Sequence, residues 1–154
     1  LSELLTDLTG EIKPKLEENG VTLEVKMPEN LIIEGNQGLL YSVFRNLFDN
    51  AINYAGKNIT IRLENYTQDS NFQYFSFSDT GTGVPDEDLP RLFERFYRVD
   101  KGRDRKKGGT GLGLAIVKNA IQFHKGDISV KNRSGGGLEF LFTLSKDLRA
   151  TDNE

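Results

Sequence analysis

Asn46 and Asn50 stand four residues apart in the chain, and Ser42, Asp49 and Asn53 fall on the same face when the segment is drawn as a helix at about 100° per residue. Exposed helix faces ordinarily carry Lys, Glu or Gln, because each Asn costs roughly a few tenths of a kcal/mol of helix propensity. Asparagines clustered on one face therefore point to a use for their amide oxygens. Asn50, at the border of the apolar stripe, is placed to offer its oxygen to Mg²⁺, a hard ion that takes few protein ligands and completes its shell with water and phosphate.

Two further groups follow in order. Asp79 ends an alternating segment and shares parity with Phe75 and Phe77, so its carboxylate should point to the core side. Burying a carboxylate is costly unless donors meet it, and the exocyclic amine of adenine is such a donor. Gly81 and Gly83 let backbone approach a ring closely. Taken alone, an Asp-Gly turn ending a strand would read the same way. The third group is Gly109, Thr110, Gly111, Leu112, Gly113 and Leu114, which opens a helix whose first backbone N–H groups attract phosphate. It is not a P-loop, since no Gly-Lys-Ser/Thr follows, and no strand leads in as a dinucleotide fingerprint requires. Metal and phosphate ligands, a base acceptor and a glycine wrap, in this order, make a nucleotide site.

Between the second and third groups lie Phe93, Phe96 and Tyr97, aromatics suited to anchoring a hinge, followed by Arg98. Then come Lys101, Arg103, Arg105, Lys106 and Lys107, a basic run immediately before the wrap that reads as a lid over ATP. His124 is the one histidine and sits at a helix end, where it caps.

These residues need elements to hold them. Leu4, Leu5, Leu8 and Ile12 predict a helix over 2–18 with a break or kink at Pro14 and a stop at Asn19 and Gly20. Val21, Leu23, Val25 and Met27 alternate as a half-buried strand, and a short stretch over 31–33 follows. A long helix over 37–55 carries Leu40, Val43, Phe44, Leu47, Ala51 and Tyr54 as its stripe, with Asn36 as its cap. Ile59, Ile61 and Leu63 alternate next, then a strand over 72–78. The region 84–107 shows short helical pieces, and a helix over 110–124 turns Leu112, Ala115, Ile116 and Phe123 inward. Strands over 127–131 and 138–144 close the chain around Gly135, Gly136 and Gly137. The expectation is an α+β fold: a mixed sheet covered by helices on one face and polar on the other at Thr22, Glu24, Lys26, Thr60, Arg62 and Glu64.

The 154 residues suit one domain over 1–146 with a polar tail over 147–154, read as part of a longer protein. A net charge of −3 gives no basis for nucleic-acid binding, and no apolar run approaches the length needed to span a bilayer. The absence of cysteine excludes a disulfide scaffold or a thiolate metal site and fits a reducing compartment.

With these residues in view, the chain resembles the catalytic ATP-binding domain of two-component sensor histidine kinases, over nearly its whole length. The segment from Asn46 to Tyr54 is similar to the N box of that family, Asp79 to Gly83 to the G1 box, Phe93 to Arg98 to the F box, and Gly109 to Leu114 to the G2 box. The resemblance implies the Bergerat fold, a two-layer α/β sandwich shared with gyrase-type ATPases, Hsp90 and MutL. It implies ATP and Mg²⁺ as cofactors, with Asn50 on the metal, Asn46 beside the phosphates and Tyr54 near adenine. Asp79 would accept from the adenine amine, with Gly81 and Gly83 framing it. Thr110, Gly111, Leu112 and Gly113 would line the phosphates, and Arg98 would meet the γ-phosphate region or the partner domain. Asn53 stands where relatives carry Lys, Arg or His, and Asn36 where many carry Asp.

Hydrolytic members of that superfamily place a general-base glutamate four residues before the metal-binding asparagine; here that position is Asn46, which cannot take a proton from water. Slow hydrolysis and a phosphotransferase follow. The implied partners are the dimerisation and phosphoacceptor domain of the same parent protein and a response-regulator receiver domain. Neither nucleic acid nor direct membrane contact is implied, and the domain is expected on the cytoplasmic side. The alternatives are a regulatory ATP-binding module without transfer activity and a serine kinase of the anti-sigma type.

Overall fold

The computed structural model describes residues 1–29, 31–95, 97 and 112–146. Helix α1 (Ser2–Glu18) precedes strand β1 (Thr22–Lys26), helix α2 (Gln37–Tyr54), strands β2 (Thr60–Gln68) and β3 (Phe72–Asp79), a 3₁₀ helix (Asp86–Arg91), helix α3 (Gly113–Phe123) and strands β4 (Ile128–Asn132) and β5 (Leu138–Ser145). The five strands form one sheet in the order β1-β2-β3-β5-β4, with β1 and β2 parallel and the other pairs antiparallel. The expected mixed sheet, covered by helices on one face, is the fold found.

The register sets the two faces. Leu63 pairs with Phe77, Phe77 with Phe140, and Phe140 with Val130, forming a row that packs under the helices. Phe44 of α2 meets Phe75 and Phe142 edge-on, and those two rings stack at 5.1 Å. Each such buried ring contributes about 1.5–3 kcal/mol by leaving water. The opposite face is polar as expected: Arg62 pairs with Glu24 at 2.8 Å, Lys131 with Glu139 at 3.4 Å, and the Ser76 hydroxyl donates to Glu139 at 2.7 Å.

Four details depart from the sequence expectation. Helix α1 runs unbroken past Pro14, because Pro14 and Gly10, whose carbonyl loses its partner, both face solvent. Val25 is exposed because β1 is an edge strand. Tyr54 is 37% exposed, while Phe48 and Ile52 complete the buried face of α2. Helix α3 is rotated from its expected phase: Leu114, Ala115, Val117, Ala120 and Ile121 are buried, whereas Ile116 and Phe123 are 42% and 55% exposed. No helix among the described residues is long and apolar enough to cross a membrane.

Candidate nucleotide site

Helix α2 is the spine of the site. Asn36 caps it, its side chain accepting the Leu39 N–H at 2.9 Å. Asn46 lies partway along, its Nδ2 donating to the Ser42 carbonyl at 2.7 Å. That bond leaves the amide oxygen turned toward the start of α3: a Cβ at Gly113 would come 3.1 Å from Asn46 Oδ1. Asn50 and Asn53 are half-buried on the last turns, and Tyr54 opens to solvent beside them. Asp49 is paired with Arg45 on its own helix at 3.2 Å and with Lys15 of α1 at 4.0 Å.

The far end of α2 holds the Asp79 loop. A Cβ at Gly81 would fall 2.3 Å from the Ala55 carbonyl oxygen, so only glycine lets the loop seat against the helix end. Thr80 fixes the loop from the other side: its N–H donates to the Thr60 carbonyl at 3.1 Å, and its hydroxyl oxygen accepts the Thr60 N–H at 2.9 Å. Asp79 is 4% exposed and points to the core side as expected. Its Oδ1 accepts the Gly81 N–H at 2.8 Å. Burial pushes its carboxyl above the ordinary range; the Gly81 and Leu138 N–H donors and the Arg133 guanidinium oppose that rise. A buried acceptor at the rim of a helix end suits an amine-bearing planar ligand.

Phe93 packs edge-on to Phe140 at 6.1 Å, with the Lys118 ammonium 5.9 Å from its ring, so this aromatic does anchor its segment to β5 and α3. The Tyr97 hydroxyl donates to Asp88, and the Arg91 guanidinium lies 4.5 Å from the Tyr97 ring. Arg98, Gly109, Thr110 and Gly111 and the basic run lie outside the described residues. Leu112 and Gly113 are in place at the start of α3.

Sequence reasoning placed the hairpin between β4 and β5 but missed its contact with the Asp79 loop. Gly137, with φ +93°, presses on Asp79: a Cβ there would lie 1.9 Å from its carbonyl oxygen. Asn132 and Arg133 reach the same loop from the hairpin. The run of three glycines was legible only as a turn, and nothing local ties it to Asp79.

Among the described residues, no three His, Cys, Asp or Glu side chains cluster to hold a metal ion. Asn50 can supply the one protein oxygen that Mg²⁺ accepts when phosphates and water complete the shell.

Residues 35–148 match the family model described as histidine kinase-, DNA gyrase B-, and HSP90-like ATPase. The chain is 41% identical over 117 residues to the sensor histidine kinase WalK of Bacillus subtilis (strain 168), covering 75% of this chain and 19% of WalK. Its fold superposes on the catalytic domain of histidine kinase ThkA with a TM-score of 0.83 at 25% identity, covering 96% of this chain and 93% of that one. Full-length ShkA in complex with AMPPNP gives a TM-score of 0.76 at 28% identity, covering 93% of this chain and 29% of that one. The chain spans between 19% and 37% of the lengths of the curated relatives it matches.

Proposed function

Because the chain belongs to the family of histidine kinase-, DNA gyrase B-, and HSP90-like ATPases, and its relatives there are sensor histidine kinases, we propose that it binds ATP·Mg²⁺ and presents the γ-phosphoryl group to a histidine on a separate dimerisation domain of the same parent protein. One observation carries this reading: α2 meets the first residue of α3, at Asn46 with Gly113, and the Asp79 loop, at Ala55 with Gly81. This spacing supports a nucleotide laid along α2, with its phosphates toward Gly113 and its base toward Gly81.

In this reading Asp79 accepts from the adenine amine, and Tyr54, exposed at the end of α2, packs on the ring. Asn50 would hold Mg²⁺, which when bound would supply positive charge against the phosphates. Asn46 and Asn53 flank the phosphates, and Leu112 and Gly113 open the helix that receives them; by the family resemblance Thr110, Gly111 and Arg98, outside the described residues, would also contact the phosphates. The chain positions the reacting groups and stabilises charge. Asn46 cannot act as a base toward water, so the phosphoryl group is kept for a better nucleophile.

That nucleophile lies elsewhere. His124 is fully buried with both ring nitrogens engaged and cannot reach a phosphate. The phosphoryl group would pass from the partner histidine to a response-regulator receiver domain, with this domain on the cytoplasmic side, where ATP is. AMPPNP in the ShkA structure supports nucleotide binding by a relative. The test is to incubate the chain with γ-labelled ATP, alone and with a matching dimerisation domain. Acid-labile label should appear on the added domain and none on this chain; label on this chain alone, or acid-stable label on a serine, contradicts the reading.

A further inference from the structure

The turn between β4 and β5 grips the Asp79 loop at both ends. Arg133 Nη1 donates to the Asp79 carbonyl at 3.0 Å and to the Gly136 carbonyl at 3.3 Å. Further along, Asn132 pairs with the Val84 peptide, accepting its N–H at 3.1 Å and donating to its carbonyl at 2.7 Å, with a second donation to Asp86 at 2.9 Å. Gly83, at φ +71°, makes room for this: a Cβ there would lie 2.6 Å from Asn132 Oδ1. The loop that carries the base acceptor is therefore aimed by residues that lie 48 and 54 positions away in the chain.

We infer that Arg133 is a positioning residue for base selectivity, acting through Asp79. The inference rests on the nucleotide reading above. By holding the Asp79 carbonyl, the guanidinium fixes the end of β3 and with it the direction of the carboxylate. Its charge is the one side-chain charge acting on that carboxylate among the described residues; the remaining partners are the Gly81 and Leu138 N–H groups. An ionised, correctly aimed carboxylate accepts from an amine at the six-position of adenine. It repels the carbonyl oxygen that guanine carries there. Both bonds leave one nitrogen, Nη1, so a lysine ammonium, with three donors at one point on a shorter stem, would keep part of the contact.

The test compares ADP and GDP binding by calorimetry for the whole 154-residue chain and three variants, with thermal melts to establish folding. The wild type should prefer ADP, and D79N should lose ADP affinity. R133Q should weaken ADP binding roughly tenfold while GDP binding stays unchanged, so that the preference collapses. R133K should fall between and carries the test should R133Q not fold. A wild type that binds no ADP, or a D79N variant that keeps the preference, removes the nucleotide reading itself. If both behave as expected and R133Q, or R133K in its place, keeps the wild-type ratio, the role of Arg133 alone is overturned. A loss of ADP and GDP binding in equal proportion also overturns it, because a structural defect would act on both.

Discussion

His124 Nε2 accepts the backbone N–H of Asn36 at 3.0 Å, while its Nδ1 donates to the Ala120 carbonyl at 2.8 Å. One imidazole thus joins the end of α3 to the cap of α2, the helix that bears Asn46 and Asn50. Gly35 packs against the ring so closely that a Cβ there would lie 2.5 Å from Nε2.

His124→Ala leaves the Asn36 N–H without its partner and opens a cavity in a fully buried site. The expected loss is about 3 kcal/mol, seen as a Tm drop of roughly 10 °C in a thermal melt. A melt within a degree or so of wild type would show that the bridge is dispensable.

Two glycines of one turn should respond differently to alanine. Gly137 (φ +93°) faces the Asp79 carbonyl, with 1.9 Å to the added Cβ, whereas Gly135 (φ +92°) has nothing within 4 Å. Gly135→Ala should cost about 1 kcal/mol of backbone strain, and Gly137→Ala about 3 kcal/mol because β3 must also move. Urea denaturation checks the order, and ADP affinity should fall only in Gly137→Ala.

Asp79 links the site to pH. Burial raises its carboxyl above the ordinary value of 3.8. Between that value and the folded one, the folded chain holds a proton that the unfolded chain has released. Its contribution to stability is therefore whole below pH 3.8 and is lost as pH rises through the folded value. In urea titrations from neutrality downward, wild type should gain stability relative to Asp79→Asn as pH falls. A constant or opposite difference would contradict the burial of this charge.

The elements were legible because their signals are local. Asn36 reads as a cap and the alternation from Phe72 places Asp79 inward; Gly81 and Gly83 read as room for a ring, whereas the close neighbours found are Ala55 and Asn132. The phase of α3 was not legible. From Leu112 to Phe123 apolar residues occupy nearly every face, so periodicity alone selects no stripe, and packing against α2 decides that Val117 and Ile121 go in while Ile116 and Phe123 stay out. Tyr54 continues the helical stripe in sequence but, as the last residue of α2, stays exposed. Asn132 and Arg133 escaped notice because their partners are set by strand pairing far along the chain, and an Asn-Arg pair before a glycine turn carries no such information.

The most direct test is calorimetric titration of the chain with ADP, with and without Mg²⁺, beside Asn50→Ala. The account predicts binding that strengthens with Mg²⁺ and falls by roughly tenfold or more in the variant. A folded wild-type chain that binds no ADP, or binds it equally without Mg²⁺ and without Asn50, would contradict it.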